Sequence, residues 1–273
     1  MRPLAVIGPL SRDIVDGRAE QIGGGPWYAA RALHALQQKA MVVAKCGEPE
    51  RRSYRRRLAS LGLPVSLAAA GETTSFSFRY DAEGHREMRV EAIGEPWSEG
   101  DEPELGLRRV EWVHAAPLLR DDFPPEALER IARRRRLLLD GHGLVRTREI
   151  GPLRLDGNFD RKLLRHVSIL KLAEEEAEAI LGHSELEELR GLGVPEVVVT
   201  FGVGGSLVLT RDTSVRVTAR PARGDPTGAG DAFSVAYLSA RAGGHTPISA
   251  ARRASALVTA LLSNSLLLGR TRP

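Results

Sequence analysis

The stretch Gly224-Asp225-Pro226-Thr227-Gly228-Ala229-Gly230-Asp231-Ala232-Phe233 is the most informative part of this sequence. Small residues at positions 228–230 let backbone N–H groups approach a ligand closely, and the composition of residues 232–242 predicts that a helix follows at once. Free N–H groups at the start of a helix carry partial positive charge and bind anions. The stretch therefore predicts an anion site at a helix N-terminus.

Asp231 places a carboxylate beside this anion site, where a negative charge needs a chemical reason. A base that takes the proton of an attacking hydroxyl is such a reason. Together the two features predict phosphoryl transfer, in which N–H groups stabilise the transferred phosphate while Asp231 deprotonates and orients the acceptor. The other interpretation is an aspartate that caps a glycine-started helix. The GAGD tetrapeptide alone does not decide between the two.

Short apolar runs alternate with helical stretches through the rest of the chain. Apolar runs separated by helices indicate a mainly parallel sheet with helices on both faces, so the fold class is α/β. From about Gly228 onward the sequence is largely helical. We predict strands over 4–7, 41–44, 110–114, 137–140, 167–170, 197–200 and 206–210, and helices over 26–36, 51–61, 125–133, 174–181, 186–190 and 232–242.

Residues 73–90 depart from this pattern. Polar and apolar side chains alternate from 75 to 80, a turn follows at 81–84, and the chain runs back through 85–90, which predicts a β-hairpin. Ligands of α/β sheets bind at the carboxyl ends of the strands, where a projecting hairpin would act as a lid. An ordinary edge hairpin is the alternative. A lid with one exposed face is also compatible with a homodimer formed through it.

The composition limits the class of protein. The chain has 273 residues, 42% of them hydrophobic, with a net charge of +4, which suits one large domain over residues 1–273. No apolar run approaches the roughly 18 residues of a membrane helix, and the single cysteine, Cys46, excludes an intramolecular disulfide framework. The four arginines at 133–136 could indicate nucleic-acid binding, but no aromatic residues lie among them to stack on bases. We therefore interpret this run as the solvated end of a helix. We expect a cytoplasmic protein with no nucleic-acid or membrane partner.

Several motifs, in order along the chain, resemble the ribokinase family, also called the PfkB carbohydrate kinases. The stretch 224–233 resembles its C-terminal signature, and residues 6–13 resemble its opening strand and loop. Residues 23–30 are similar to its N-terminal glycine signature, 169–177 to its K-x-N-x-x-E element, and 200–205 to its T-x-G-x-x-G turn. The resemblance covers nearly the whole chain. It implies a ribokinase-like three-layer α/β sandwich with a mainly parallel central sheet and a small β-lid, formed by about 11–22 and 73–93.

The resemblance also implies an ATP-dependent, Mg2+-requiring kinase that phosphorylates a hydroxyl of a small sugar or cyclic polyol. It assigns Asp231 as the catalytic base, Gly228, Ala229 and Gly230 as the anion hole, and Glu176 as the residue that holds magnesium through water. A monovalent cation such as K+ would have its place near Asp225. The residues that the resemblance assigns to the nucleotide and its phosphates are Lys171, Thr200, Gly202, Gly205, Asp225 and Thr227. Those that it assigns to the phosphate acceptor are Asp13, Gly24, Gly25, Tyr28, Phe76, Phe78 and Asp140.

The chain departs from the family pattern in three places. Ala173 stands where the family has Asn, Ser11 replaces a common Asn, and residues 26–28 differ from ribokinase, which argues against ribose. The short chain and the loop at 140–146 are similar to the compact branch that includes myo-inositol kinases. A nucleoside or 2-keto-3-deoxy-sugar acid kinase is the alternative within enzymes, and inward-pointing Arg79 and Arg89 would favour the acid. A non-catalytic nucleotide- or sugar-binding relative is the alternative from another class.

The histidines show no metal-ligand spacing. We expect His114 and three others, His34, His166 and His183, in packing or on the surface. For His142, in the loop after a predicted strand, a functional and a structural interpretation both stay open.

Overall fold

A nine-stranded sheet runs through the middle of the molecule in the computed structural model, which describes residues 4–15, 20–80, 86–101, 107–222 and 226–263. The strands are β1 (Leu4–Pro9), β2 (Ser11–Val15), β3 (Gln21–Gly23), β4 (Ala40–Gly47), β5 (Val65–Ala70), β6 (Thr74–Tyr80), β7 (Arg86–Ala92), β8 (Trp112–Ala115), β9 (Arg136–Asp140), β10 (Gly151–Pro152), β11 (Ile169–Ala173), β12 (Glu196–Thr200), β13 (Ser206–Thr210) and β14 (Ser214–Val217). The α-helices are α1 (Gly25–Ala35), α2 (Glu48–Ala59), α3 (Pro125–Ala132), α4 (His142–Val145), α5 (Glu174–Leu181), α6 (Ala229–Ala242) and α7 (Pro247–Ser263).

The order of the large sheet is β14-β13-β12-β11-β9-β8-β1-β4-β5, and its seven strands from β12 to β5 are parallel. Only β13 runs against them, because it pairs antiparallel with β12 and with β14. Parallel strands place their carboxyl ends along one edge of the sheet, which is where ligands bind in such folds. The topology therefore brings the ends of β1, β8, β9 and β11 to one place.

Successive side chains of the central strands enter two different cores, because side chains alternate across a strand. Val113, Leu137 and Leu139 belong to the core that includes α3 and α5, whereas Trp112 and Leu138 belong to the core under α1, α6 and α7. Both faces of the sheet are thus covered by helices. This confirms the predicted three-layer α/β sandwich.

The predicted hairpin is confirmed, since β6 and β7 pair antiparallel. It belongs to a second, five-stranded sheet of order β10-β7-β6-β2-β3, in which β2 lies parallel to β6. Phe76, Phe78 and Val90 form a buried cluster with Leu118 and Leu119 on the inner face of this sheet. The predicted turn at 81–84 and residues 16–19 of the predicted lid lie outside the described residues.

A few elements differ from the sequence-based prediction. Residues Leu186–Leu192 form a 3-10 helix and not an α-helix. The strand predicted from 110 begins at Trp112, because the Val110 N–H donates to the Leu107 carbonyl in a turn. The apolar pattern misses β2, β3, β5, β10 and β14, which are short or rich in residues of weak β propensity.

Cys46 is buried and free. The prediction that the arginines at 133–136 follow the end of a helix holds in the described structure. The arginine run begins where α3 ends, and Arg135 donates to the carbonyls of Arg130 and Ile131. Among the described helices, none has the length and apolar character needed to cross a membrane.

Candidate active site

Polar side chains from three neighbouring strands meet the start of a helix at the carboxyl edge of the large sheet. His114, Asp140 and Lys171 lie on β8, β9 and β11, and Lys171 stands directly opposite Asp140 in the strand register. Asp231 lies in the first turn of α6, and its carboxylate oxygen comes within 4.8 Å of ligand atoms of both His114 and Asp140. The parallel topology thus assembles a cluster of four ionisable groups.

The N-terminus of α6 is formed by the glycine-rich turn. Gly228 precedes the helix with φ +76°, a left-handed conformation that glycine adopts without strain. A β-carbon at this position would overlap the ring of Tyr28. Because glycine has no side chain, Tyr28 of α1 can pack directly against the backbone at the start of α6. The Ala229 N–H donates to the Pro226 carbonyl (2.9 Å), so this bond occupies one of the three N–H groups that the sequence assigns to the anion hole.

Asp231 is partly buried, and its carboxyl group is unusually basic. Burial, followed by the negative charge of Asp140, raises the pKa of Asp231 from 3.8 to about 6, against the opposing effects of His114, Lys171 and Arg146. A carboxylate with a pKa near the working pH is suited to take up a proton.

Asp140 and Lys171 form a buried ion pair beneath this helix start. The Lys171 Nζ lies 3.3 Å from Oδ1 of Asp140, and the Ser234 hydroxyl donates to Oδ2 (3.0 Å). Burial opposes the charge of Asp140, but Lys171, His142 and His114 outweigh it and hold the pKa of Asp140 well below its usual value. Burial likewise opposes the charge of Lys171, yet the carboxylates of Asp140, Glu176 and Asp231 raise its pKa.

A second pair, His142 and Glu176, lies beside the first. Glu176 is 2% exposed, Oε2 accepts the Ala173 N–H (2.8 Å), and Oε1 lies 3.1 Å from Nε2 of His142. The backbone of Ala173 thus holds Glu176 without the side chain of the family's Asn. Burial raises the pKa of Glu176, and burial lowers the pKa of His142 well below its usual value.

Glu176 is the described residue that best fits a magnesium ion. Mg2+ prefers oxygen ligands, keeps several waters and needs one or two carboxylates besides the phosphates of a substrate. Asp140, His142 and Glu176 bring ligand atoms within 4.8 Å of one another, and both carboxylates already have protein partners. Asp140 is paired with the ammonium group of Lys171, whose positive charge repels a cation, whereas Glu176 faces His142, whose lowered pKa leaves its imidazole neutral. The carboxylate of Glu176 is therefore the candidate magnesium ligand.

The predicted acceptor residues converge at the end of β1. Asp13 is 6% exposed and accepts the Ser11 hydroxyl (2.6 Å), and a β-carbon on Gly23 would overlap its carboxylate. Gly24 adopts φ +91° immediately before α1. Gly25 follows in the first turn, where an added β-carbon would lie 2.8 Å from Oδ1 of Asp231. Gly25 thus lies beside the candidate base, and Asp13 packs against Gly23, two residues before it in the same glycine stretch.

Other predicted acceptor residues have different surroundings. Tyr28 packs against Gly228, and Asp140 is fully buried. Phe76 and Phe78 pack on Leu118 and Leu119 on the inner face of the second sheet.

Three of the predicted nucleotide residues, Thr200, Gly202 and Gly205, lie at the end of β12 or in the turn after it. The Thr200 hydroxyl donates to the Leu172 carbonyl (3.2 Å), and Gly202 and Gly205 adopt φ +53° and +89° in the turn that follows. The guanidinium of Arg216 stacks 4.0 Å from the ring centroid of Phe201 in the same turn. Thr227 lies half-buried in the turn before α6, whereas Asp225 lies outside the described residues.

The sequence does not identify His114 or Ser234 as residues of this site, and it leaves the role of His142 open. His114, expected in packing or on the surface, is fully buried with Nε2 3.5 Å from Oδ2 of Asp140. His142 pairs with Glu176, and Ser234 bonds to Asp140. The available signal for His114 was a polar residue near the carboxyl end of an otherwise apolar strand.

Comparison with known proteins finds relatives among carbohydrate and inositol kinases. The model of the pfkB family of carbohydrate kinases matches residues 14–265. An inositol 3-kinase from Oryza sativa subsp. japonica is 29% identical over 257 residues, which cover 86% of this chain and 62% of that protein. This chain therefore spans less than two thirds of the length of the rice relative.

Two solved structures share the fold. A pyrophosphate-dependent kinase of the ribokinase family, complexed with a pyrophosphate analogue and myo-inositol, superposes with a TM-score of 0.83 at 25% identity and covers 95% of this chain and 94% of that one. Ribokinase from Thermotoga maritima superposes with a TM-score of 0.71 at 16% identity, covering 96% and 93%.

Proposed function

The chain belongs to the pfkB family of carbohydrate kinases, and we propose that it transfers a phosphoryl group to a hydroxyl of a small sugar or cyclic polyol, with myo-inositol as the first acceptor to test. One observation carries the proposal. Asp231 stands in the first turn of α6, beside the glycine signature of α1, and its pKa is raised to about 6. A proton acceptor thus lies at a helix start where an anion binds favourably.

The proposed reaction needs little covalent chemistry from the protein. The acceptor hydroxyl gives its proton to Asp231 as its oxygen attacks the terminal phosphorus of the donor, and the bond from that phosphorus to the leaving oxygen breaks in line. The N-terminus of α6 stabilises the charge on the equatorial oxygens. Glu176 would hold magnesium, and the bound ion would neutralise charge on the donor phosphates.

The acceptor would lie between Asp13 and Asp231. Two carboxylates suit a molecule with several hydroxyls, because each accepts hydrogen bonds from different hydroxyl groups. The rice inositol 3-kinase and the kinase complexed with myo-inositol support a cyclic polyol. We further propose that residues 1–273 form one kinase domain whose lid, about 11–22 and 73–93, closes over the acceptor.

The alternatives receive less support from the described residues. Arg79 and Arg89 are exposed, and Arg89 lies 3.7 Å from the Glu91 carboxylate, so neither guanidinium favours a sugar acid. The Ala173 backbone holds Glu176 in place of the family's Asn, which weakens the one argument for a non-catalytic relative.

ATP is the donor that we propose first, and inorganic pyrophosphate is a second candidate. Arg216 covers a face of Phe201, an aromatic ring in the predicted nucleotide turn, at 4.0 Å. A purine base would have to displace it to stack there, whereas pyrophosphate needs no base pocket. The pyrophosphate-dependent relative gives this candidate further support.

A panel of donors and acceptors tests the proposal. ATP and pyrophosphate would each be combined with myo-inositol, ribose, a nucleoside and a 2-keto-3-deoxy-sugar acid, with and without Mg2+, and the product followed by 31P NMR. We expect a Mg2+-dependent phosphate ester of myo-inositol or of another polyol. The proposal fails if no donor phosphorylates any acceptor, or if only the nucleoside or the sugar acid reacts.

A further inference from the structure

We infer that Asp140 is a positioning residue, which holds the ammonium group of Lys171 under the first turn of α6 and fixes that turn to the sheet through Ser234. The inference rests on the proposed role of Asp231 as base and gives Asp140 a role other than binding the acceptor. Lys171 then acts on the reaction as a fixed positive charge behind the glycine turn.

The contacts of Asp140 carry the inference. Its carboxylate is fully buried, and its two oxygens accept from different elements, Lys171 of β11 at 3.3 Å and Ser234 of α6 at 3.0 Å. Ser234 follows Asp231 by three residues, so both side chains project from the same side of the helix. The bond from Ser234 to Asp140 therefore fixes the helix face that carries the candidate base.

Lys171 lies immediately beneath the glycine turn. A β-carbon on Gly230 would stand 3.1 Å from Nζ of Lys171, so the absence of a side chain at 230 lets the ammonium group approach the backbone of the turn. A positive charge at a helix N-terminus adds to the field of the helix, and a buried charge is screened less than an exposed one. The ammonium group thus strengthens attraction of an anion to this turn.

Burial argues against a direct contact of Asp140 with the acceptor. A fully buried carboxylate with both oxygens hydrogen-bonded has no surface to offer a sugar hydroxyl. Moving two charges out of water is costly, and apolar residues of similar size often replace a buried pair without loss of stability. Because stability does not require this buried ion pair, we infer that Asp140 and Lys171 are paired next to Asp231 for their effect on the position and the charge of the helix start.

The charge of Asp140 also acts on the proton affinity of Asp231. The groups that face Asp231 are Asp140 of β9, His114 of β8, Lys171 of β11 and Arg146 after α4. Asp140 raises the pKa of Asp231, whereas the three basic groups lower it. Removal of Asp140 alone should lower this pKa, and removal of Asp140 together with Lys171 should restore it, because the two charges oppose each other.

The test measures the pKa of Asp231 and the turnover in the same set of full-length variants. The carboxyl carbon of Asp231, labelled with 13C-aspartate and assigned by its loss in Asp231→Asn, would be titrated by NMR in the parent, in Asp140→Asn and in Asp140→Asn/Lys171→Met. The pH profile of kcat/KM would be measured with the best substrates from the panel. Tyr237→Phe is the control, because Tyr237 lies on α6 but bonds to Glu196, away from the site.

For Asp140→Asn we expect the pKa of Asp231 and the acid limb of kcat/KM to fall by about one pH unit, with turnover reduced at least about tenfold. The double variant should return the pKa to within about half a unit of the parent while turnover stays low. Tyr237→Phe should change neither quantity. The inference would be overturned if the pKa of Asp231 did not change in Asp140→Asn, or if it were as low in the double variant as in Asp140→Asn.

Two further outcomes keep the inference separate from the proposed function. If the parent phosphorylates nothing, the proposed function fails, whereas the NMR titration still decides whether Asp140 and Lys171 act on Asp231. If Asp140→Asn does not fold, Ser234→Ala removes one bond to Asp140 without changing a charge. We expect it to lower turnover about tenfold at an unchanged pKa of Asp231, and unchanged turnover would overturn the role of Asp140.

Discussion

Gly25 and Asp231 face each other so closely that a β-carbon on residue 25 would lie 2.8 Å from Oδ1 of Asp231. Gly25 begins α1 and Asp231 lies in the first turn of α6, and these two helices pack on the same face of the large sheet. The two glycine-rich stretches, at opposite ends of the sequence, therefore form one site.

Gly25→Ala should reduce turnover and also destabilise the fold. The added methyl group would crowd Oδ1 of Asp231 and the side chain of Ala116, so the candidate base must move. A displacement of about 1 Å can cost about a hundredfold in rate. Steady-state kinetics would measure the loss. Gly191→Ala is the control, because a β-carbon there meets nothing within 4 Å, and equal turnover in the two variants would contradict the prediction.

Gly228→Ala should reduce stability more than Gly62→Ala, although the two glycines have the same left-handed backbone conformation. Gly228 and Gly62 have φ of +76° and +71°, but a β-carbon at 228 would overlap the Tyr28 ring, whereas one at 62 meets nothing within 4 Å. Gly62→Ala should cost about 1–2 kcal/mol of unfolding free energy for the left-handed conformation alone. Gly228→Ala should cost more and also lower turnover. Urea unfolding and kinetics of both variants provide the comparison, and similar results at the two positions would exclude a special role for this packing.

Asp231→Asn should stabilise the fold at alkaline pH. The pKa of Asp231 is about 6 in the folded protein against a usual 3.8, so its ionisation costs folding free energy as the pH rises through 6. A difference of about two pKa units corresponds to about 3 kcal/mol. The variant should therefore exceed the parent by up to this amount near about pH 8 and match it below about pH 4.

Urea unfolding across this pH range measures the effect. Asp212→Asn, at an exposed position, is the control and should show no such gain. A gain for Asp231→Asn that does not change with pH would mean that its carboxyl group is not destabilised by burial.

Glu176→Gln should weaken the binding of magnesium at the site. The amide keeps the size of the side chain but removes the negative charge that attracts a divalent cation. We expect the Mg2+ concentration for half-maximal rate to rise at least about tenfold, and Mn2+ binding, followed by EPR without turnover, to weaken in parallel. The exposed neighbour Glu175 supplies the control, Glu175→Gln. Equal metal affinity in the two variants would remove Glu176 from the metal site.

Much of this architecture is predictable from the sequence. The apolar runs over 137–140 and 206–210 became strands, and residues 174–181 form a helix with the predicted bounds. These elements are strongly patterned, so local preference and tertiary packing agree. β5, with four alanines or serines among its six residues, and the two-residue β10 owe their strand character to pairing with a neighbour, which the local sequence does not encode.

The site is predictable in its parts but not in its assembly. Asp140, Lys171 and Asp231 are each identifiable from a motif, yet the ion pair between the first two depends on β9 lying beside β11. His114 joins them because β8 is the next strand in the sheet, although its sequence context resembles that of any buried histidine. Strand order arises from long-range packing, and so the charge cluster was visible only in the folded chain.

The most direct test of the proposed mechanism is the turnover of Asp231→Asn with the best donor and acceptor near about pH 7.5, where most of the parent carboxyl groups are ionised. Removing a general base costs about a hundred- to ten-thousandfold in rate, while the affinity for the donor should stay nearly unchanged. We predict a loss of kcat in this range with donor binding preserved. Turnover equal to that of the parent would contradict the assignment of Asp231 as the base.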